Sequence, residues 1–325
     1  MNPNTLFTDY YSDWIRTYKE GGGLRPSTMQ AYRYVALSLK MLAPELRLNQ
    51  LTRREYQQII NRYAKDRAWR TVKLFHVLLK PAILDALDDG LIATNPTRRT
   101  VIKGAKKDKH FNWLNHEEAA RLCQELELEA PIIREAPRVH SRGQELEVNW
   151  DWLVLLCLKT GIRFSEALGL TPEDFDFGRK TLSITKTFDY KYEHQLLPSM
   201  KSKTSARSIR MDEQLCAKFE SVLRQSEPGK PIFIPPGQRV HNSTAVKRLK
   251  MLCDSADVPE ITVHGLRHTH ASILLYAGVS INTVSQRLGH SSVTMTLEHY
   301  LHIIKELEDR DNEKIQKSME SVLSF

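Results

Sequence analysis

The stretch RRTVIKGAKKDK, residues 98–109, interrupts an otherwise periodic chain, and no single core can take it in. It is dense in charge and poor in large apolar side chains, so it reads as a linker between separately packed bodies. Length agrees, since 325 residues exceed what one hydrophobic core usually organises. The expected division is a helical domain over 1–97, a basic interdomain linker over 98–112 and a second domain over 113–325 that ends in a tail helix.

From Thr5 to about Asn95 the apolar residues recur at helical spacing. STMQAYRYVALSLKML opens with Ser27 as a cap behind Pro26, and TRREYQQIINRYAKD has Thr52 as a cap with Glu55 three residues on. AWRTVKLFHVLLKPAILDALDDGLI continues as a helix with Pro81 inside it, so four or five short helices are expected here. Beyond the linker, NHEEAARLCQELELE is helical, NWDWLVLLCLKTGI is a buried helix, and a turn leads into a helix at RFSEALGL. TLSITKTFDY and ARSIRM alternate with period two, as strands do, and residues 213–325 return to helix. The fold class is therefore mainly α, with a small antiparallel β-sheet in the second domain. Residues 124–149 exceed a short connection and match neither period.

The formal net charge of +8 is unevenly placed: residues 1–110 carry 20 Lys and Arg against 10 Asp and Glu, leaving 27 against 29 for the rest. A basic first third on a near-neutral body suits a polyanion such as nucleic acid, because neutralised phosphates release counterions. A solvated helical face explains the same charge equally well. The longest purely apolar run, WLVLLCL, is too short for a bilayer, so no membrane span is expected. MNPNTLFTDYYSDW has neither the basic nor the apolar region of a secretory signal. Cys123, Cys157, Cys216 and Cys253 show no CxxC spacing; they fit a reducing compartment, here the cytoplasm, and not a cysteine metal site.

Several side chains suit work on a phosphate: Arg163 in TGIRFSEALGL, Lys203 in KSKTSARSI, His264 and Arg267 in HGLRHTH, His290 in LGH and Tyr300 in LEHYLH. Each has a plainer reading. Arg163 suits a helix start, paired with Glu166; His264 suits a cap; Tyr300 suits a core; and Lys203 has rivals in Lys186, Lys191 and Lys201. His264 and His268, at i and i+4, also have zinc-ligand spacing, but Gly265 stands where HExxH places its glutamate. His268 and His270 are expected to pack or hydrogen-bond within their helix. In the first domain Arg70 and Lys73 lie one turn apart, and Lys103, Lys106 and Lys107 punctuate the linker, all suited to a phosphate backbone.

Together these boxes resemble the tyrosine recombinases, the phage-integrase type of site-specific DNA recombinase. HGLRHTHA at 264–271 matches the form HxLRHTxA, and LGHSSVTMTLEHYLH at 288–302 matches LGHxSxxxTxxYxH. TGIRFSE is similar to the family's first arginine turn, and KTSARSIR to its lysine-bearing stretch between strands. The resemblance implies a helical core-binding domain that, with an α+β catalytic domain, clamps double-stranded DNA. Some relatives carry a further N-terminal arm-binding domain. The pattern here starts by Thr5, so this chain is expected to be either of the simpler kind or one from which that domain was removed.

By the same resemblance, Arg163 and Arg267 hold the non-bridging oxygens, Tyr300 attacks phosphorus, and His264 takes its proton. His290 donates to the phosphate, Lys203 protonates the leaving 5′-oxygen, and Glu166 supports Arg163. Neither metal nor ATP is implied. A homotetramer on DNA, a Holliday junction and DNA-bending accessory proteins are. In the tail, Ile303, Leu307, Ile315, Met319 and Val322 form an apolar stripe suited to a neighbouring protomer or to the chain's own domain. Two rival readings stand beside this one: a type IB topoisomerase, and a non-catalytic helix-turn-helix protein built on ILLYAGVSINTVSQRLGH with Gly278 at the turn.

Overall fold

The computed structural model describes residues 2–105, 113–135, 146–197, 206–224, 226–298, 300, 303 and 319–320. The chain divides into two compact units, Met1–His110 and Phe111–Phe325.

The first unit consists of α1 (Phe7–Tyr18), α2 (Pro26–Leu42), α3 (Arg53–Tyr63) and α4 (Trp69–Asp88), with a 3₁₀ turn at Leu48–Gln50. Thr52 caps α3 as expected, its hydroxyl accepting from the Glu55 N–H at 3.2 Å. Ser27 does not cap α2. The helix begins one residue earlier, at Pro26, whose missing N–H costs nothing in the first turn, and Arg25 precedes it in extended conformation. Phe7, Tyr11, Leu39, Tyr56, Ile59, Phe75, Leu79 and Ile83 fill the core. Around Pro81, inside α4, tyrosine hydroxyls donate to carbonyls, Tyr11 to Leu78 at 3.1 Å and Tyr10 to Ala82 at 2.9 Å.

Residues 101–105, at the start of the expected linker, are strapped to this unit. The Gln57 amide and the Val101 backbone exchange two hydrogen bonds of 2.9 Å. Ala105 bonds Arg67 and Trp69, and a Cβ on Gly104 would stand 2.8 Å from the Arg67 carbonyl oxygen. Backbone groups make these contacts, which a hydropathy pattern does not register. Lys106 and Lys107 lie outside the described residues.

The second unit opens with α5 (His116–Gln124) and a hairpin of β1 (Ile133–Glu135) and β2 (Leu146–Val148), followed by α6 (Trp150–Thr160) and the short α7 (Phe164–Leu168). Then come β3 (Phe175–Asp176), β4 (Thr181–Ile184), β5 (Thr187–Asp189), β6 (Gln195–Leu197) and β7 (Arg207–Arg210). Next follow α8 (Glu213–Leu223), α9 (Asn242–Ser255), α10 (Val263–Tyr276) and α11 (Ile281–Leu288). The chain is helical again at residues 293–298 and at Tyr300. The expected sheet is the antiparallel β3-β4-β7, with Leu182 opposite Ile209, both buried; β5-β6 and β1-β2 are separate hairpins.

The apolar α6 is the centre of this unit and packs against α10. The helix expected over 115–129 stops at Gln124, and residues 127–132 instead wrap the start of α6. Trp152 Nε1 donates to the Ala130 carbonyl at 2.9 Å, and the Glu127 N–H donates to the buried Asp151 at 2.8 Å. Arg248 completes Asp151 with two bonds of 2.7 and 2.8 Å. Among the described residues, no helix is long and apolar enough to cross a membrane.

Candidate active site

The site begins where α6 stops. Gly161 ends that helix at φ +71°, and a Cβ there would come 2.6 Å from the His270 ring, so a glycine is required both by conformation and by space. Two residues on, Arg163 is the extended N-cap of α7, and Glu166 occupies the third helical position. The Glu166 carboxylate accepts from the Arg163 backbone N–H at 2.9 Å and from its Nη1 at 2.7 Å. Arg163 Nη2 continues to the Gly289 carbonyl at 3.2 Å, joining two segments 126 residues apart in the chain.

Arg207, on β7, grips Glu166 from its other side. Its Nη2 stands 2.8 Å from Oε2, its Nη1 3.2 Å from Oε1, and its Nε donates to the Arg287 carbonyl at 2.7 Å. Glu166 is only 1% exposed. Burial alone would raise its carboxyl pKa. The hydrogen bonds and charge of Arg207, then of Arg163, outweigh burial and hold it below the ordinary carboxylate value.

Arg267, on α10, is also buried, and its Nη1 donates to the Gly161 carbonyl at 2.8 Å. Its Nη2 meets no acceptor among the described residues. Burial first, then the charges of Arg163 and Arg207, pull its pKa down to about 9, which still leaves it a cation at neutral pH. Two guanidiniums thus grip one carboxylate, and a third, Arg267, lies within its field. Buried positive charge in such excess calls for an anion.

The histidines divide by role. His270 Nδ1 donates to the Leu158 carbonyl at 2.9 Å and its Nε2 accepts from Arg287 Nε at 2.9 Å, which fixes one neutral tautomer. Burial, and then Arg287, push its pKa down to about 3, so His270 is structural. His268 Nδ1 lies 2.8 Å from the Tyr300 hydroxyl, and the His264 ring meets His268 edge to face at 4.9 Å between centroids. The α10 cap is Thr262, whose hydroxyl accepts from the Gly265 N–H at 3.0 Å, and not His264. His290 follows Gly289, the left-handed C-cap of α11, and its Nδ1 pairs with the hydroxyl of buried Thr296 at 2.7 Å.

Tyr300 is 2% exposed and packs with Ala271, Leu275, Val284, Leu288 and Ile303. Burial raises its phenol pKa and Arg267 lowers it in part, so the hydroxyl lies within the field of the arginine cluster. Ile303, from the apolar tail stripe, packs into this same domain, whereas Met319 is exposed; Leu307, Ile315 and Val322 lie outside the described residues.

Of the residues singled out in the sequence, Arg163, Glu166, Arg267 and Tyr300 gather here. His264 adjoins them through His268, and His290 through Gly289. Lys203 and its rival Lys201 lie outside the described residues. Another rival, Lys186, is committed to Asp174 and Thr171, and Lys191 lies over the Tyr190 ring. Arg207 was not picked out from the sequence, and His268, expected to pack or hydrogen-bond within its helix, bonds instead to Tyr300. Both left a trace: Arg207 shares a strand face with buried Ile209, two residues away, and His268 shares a helix face with His264.

In the first unit Arg70 is exposed and Lys73 Nζ lies 4.9 Å over the Trp69 ring. Lys103 lines a shallow groove along α3 with Arg53, Arg54, Gln57 and Arg99, a basic surface not picked out from the sequence.

The profile of the phage integrase family matches residues 112–306. The chain is 26% identical over 274 residues to a "Tyrosine recombinase XerC-like" protein of Caldanaerobacter subterraneus subsp. tengcongensis, covering 74% of this chain and 64% of that protein, just under two thirds of its length. It is 21% identical over 333 residues to the integrase of Staphylococcus phage L54a, covering 94% and 91% of the two chains. In fold it is similar to the Tn1549 transposon integrase in complex with a circular intermediate DNA, with a TM-score of 0.73 at 18% identity over 94% of this chain and all of that one. The profile covers more than half of the sequence and carries Arg163, Glu166, Arg267 and Tyr300 within it, and the chain accordingly belongs to the phage integrase family, the tyrosine recombinases.

Proposed function

We propose that this protein is a site-specific DNA recombinase that cuts and rejoins double-stranded DNA through a covalent 3′-phosphotyrosine, integrating or excising a mobile element. The observation that carries the reading is the cluster of Arg163, Arg207 and Arg267 around the single carboxylate of Glu166, with the Tyr300 phenol beside it.

Attack on a phosphodiester builds charge on its non-bridging oxygens, and fixed guanidiniums stabilise that charge without reorganising. Arg267 holds itself in place through Nη1 and keeps Nη2 for the phosphate; Arg163 is oriented by Glu166 to serve beside it. The Tyr300 oxygen bonds phosphorus, the 5′-oxygen departs, and Lys203 supplies the proton that oxygen needs. His290, oriented at Nδ1 by Thr296, donates to the phosphate from its other nitrogen. Neither a metal nor ATP enters these steps, since the arginines stabilise the charge and the phosphotyrosine conserves the bond energy.

The α3 groove, with Arg70, Lys73, Lys103, Lys106 and Lys107, tracks phosphates without reading bases. Four copies act together on two duplexes through a Holliday junction, with bending proteins shaping the DNA, in the bacterial cytoplasm. A relative named as a phage integrase supports the mobile-element task. A type IB topoisomerase shares the chemistry but relaxes one duplex without exchanging strands. A helix-turn-helix reader matches the α10-Gly278-α11 shape but has no use for Arg163, Arg207 and buried Arg267 gathered near a phenol.

Incubation with nicked suicide substrates carrying candidate junctions tests the reading. A covalent complex lost in Tyr300→Phe and kept in Tyr276→Phe supports it. A complex that survives Tyr300→Phe overturns it, and a product joining two duplexes separates recombinase from topoisomerase.

A further inference from the structure

We propose that Arg287 is a positioning residue for cleavage, one that acts through Arg163, Arg207 and Arg267 by fixing the segments that carry them. The proposal rests on the reading of those arginines as the groups that stabilise charge on the phosphate.

Arg287 lies in the last turn of α11 and bonds to three other elements. Its Nε donates to His270 Nε2 at 2.9 Å, on α10 one helical turn beyond Arg267. Its Nη2 reaches the carbonyl of Arg210 at 3.1 Å, at the end of the strand that Arg207 opens. The same nitrogen reaches the Lys159 carbonyl at 3.4 Å, in the last turn of α6, just ahead of Gly161 and Arg163. The Arg287 carbonyl accepts from Arg207 Nε at 2.7 Å, and the chain continues at once to Gly289, whose carbonyl accepts from Arg163 Nη2. One residue therefore meets the supports of all three guanidiniums.

The route to Arg267 runs through His270. That imidazole donates from Nδ1 to the Leu158 carbonyl, which leaves Nε2 as the acceptor that Arg287 fills. Its ring occupies the space beside Gly161, where a Cβ would stand 2.6 Å away, and the Gly161 carbonyl holds Arg267 Nη1 at 2.8 Å. Displacing Arg287 loosens His270, and with it the turn on which Arg163 and Arg267 both depend. A guanidinium holds its donors in a fixed planar fork and so serves the imidazole and the two carbonyls together; an ammonium is a single point and does not. Burial, and then the charge of Arg207, make a cation costly here, so what the arginine adds is this set of directed donors.

The test compares the full chain with Arg287→Met and Arg287→Lys in initial rates of covalent complex formation. Two nicked suicide substrates are used, one with an ordinary scissile phosphate and one with a neutral methylphosphonate in its place. Misplacing catalytic groups by about 1 Å can cost about 10²-fold, and a loss of about 10–10²-fold is expected in both variants on the phosphate, with DNA affinity by gel shift unchanged. The methyl group removes the charge that the guanidiniums stabilise, so on the methylphosphonate both variants should come within about threefold of the unsubstituted chain. Full rates on the phosphate in a folded variant overturn the proposal, as does a loss of equal size on both substrates or one matched by a fall in affinity. Thermal unfolding shows which variants are folded at the assay temperature, and a folded one decides; if neither folds, Arg287 serves the fold alone and the proposal fails. An unsubstituted chain that cleaves the phosphate but is inert towards the methylphosphonate removes instead the assignment of the arginines to phosphate charge, and a covalent complex in Tyr300→Phe removes the recombinase reading itself.

Discussion

Gly289 sits so close to Arg207 that a Cβ at residue 289 would stand 2.8 Å from Nη1 of the arginine. The glycine also takes φ +69°, where side chains carry strain. Gly289→Ala therefore pays twice, through backbone strain and through displacement of a guanidinium that braces Glu166. A stability loss of about 1–3 kcal/mol is expected by chemical denaturation. Cleavage should fall at least tenfold at temperatures where the variant is fully folded. Wild-type cleavage in Gly289→Ala would show that Arg207 does not need its present position.

Buried Glu166 is gripped by the guanidiniums of Arg163 and Arg207, and its loss removes the carboxylate that both hold. Removing one partner of a buried ion pair typically costs about 3–5 kcal/mol, so Glu166→Gln should be markedly less stable than wild type at neutral pH. Because the Glu166 pKa is held below its unfolded value, its contribution is intact above the unfolded value and disappears as pH falls through the folded one. Melting temperatures measured from neutrality into acid should converge for wild type and Glu166→Gln. Parallel curves would refute the coupling.

His270 should stay neutral far below the usual histidine range. Its folded pKa of about 3 means that the unfolded chain takes up a proton first, so the residue stabilises the fold above pH 6.5 and loses that contribution as pH falls. Nitrogen-detected NMR of the imidazole should show one tautomer, protonated at Nδ1, persisting at pH 5. A ring titrating near 6.5 would contradict the closed bonds to Leu158 and Arg287.

The salt dependence of DNA binding tests the α3 groove. If Arg53 and Arg54 each neutralise a phosphate, Arg53→Ala and Arg54→Ala should each lower the slope of log K against log salt by about one, uniformly across sequences. Equal slopes in the variants and wild type would place the phosphates elsewhere.

What the sequence made legible follows from where the information lies. Period-two alternation located β4 and β7, and helical periodicity with Thr52 and Pro81 located α3 and α4. The arginines and Tyr300 were legible because the family boxes quote them. Arg207 was not, because an arginine in a strand is normally counted as solvated; its partners Glu166 and the Arg287 carbonyl, 41 and 80 residues away in the chain, make an inward-facing one tolerable. The strap of residues 101–105 on the first unit was hidden for another reason: it is made by backbone atoms and by the space beside Gly104. His268 looked like packing because its partner, Tyr300, lies 32 residues away.

Arg267→Lys separates charge from geometry. Lysine keeps a positive charge at this position, but its single ammonium cannot hold the Gly161 carbonyl and present a second, parallel donor to a phosphate oxygen. Removal of one such donor usually costs about 10²–10³-fold in rate. Covalent complex formation should fall by that order, while affinity for uncleaved DNA, set mostly by phosphate contacts elsewhere, changes little. The two quantities are measured on the same substrate by gel shift and by denaturing gel. A rate that survives in Arg267→Lys would mean that charge alone suffices; an equal fall in affinity and rate would mean that Arg267 binds the ground state as tightly as the transition state.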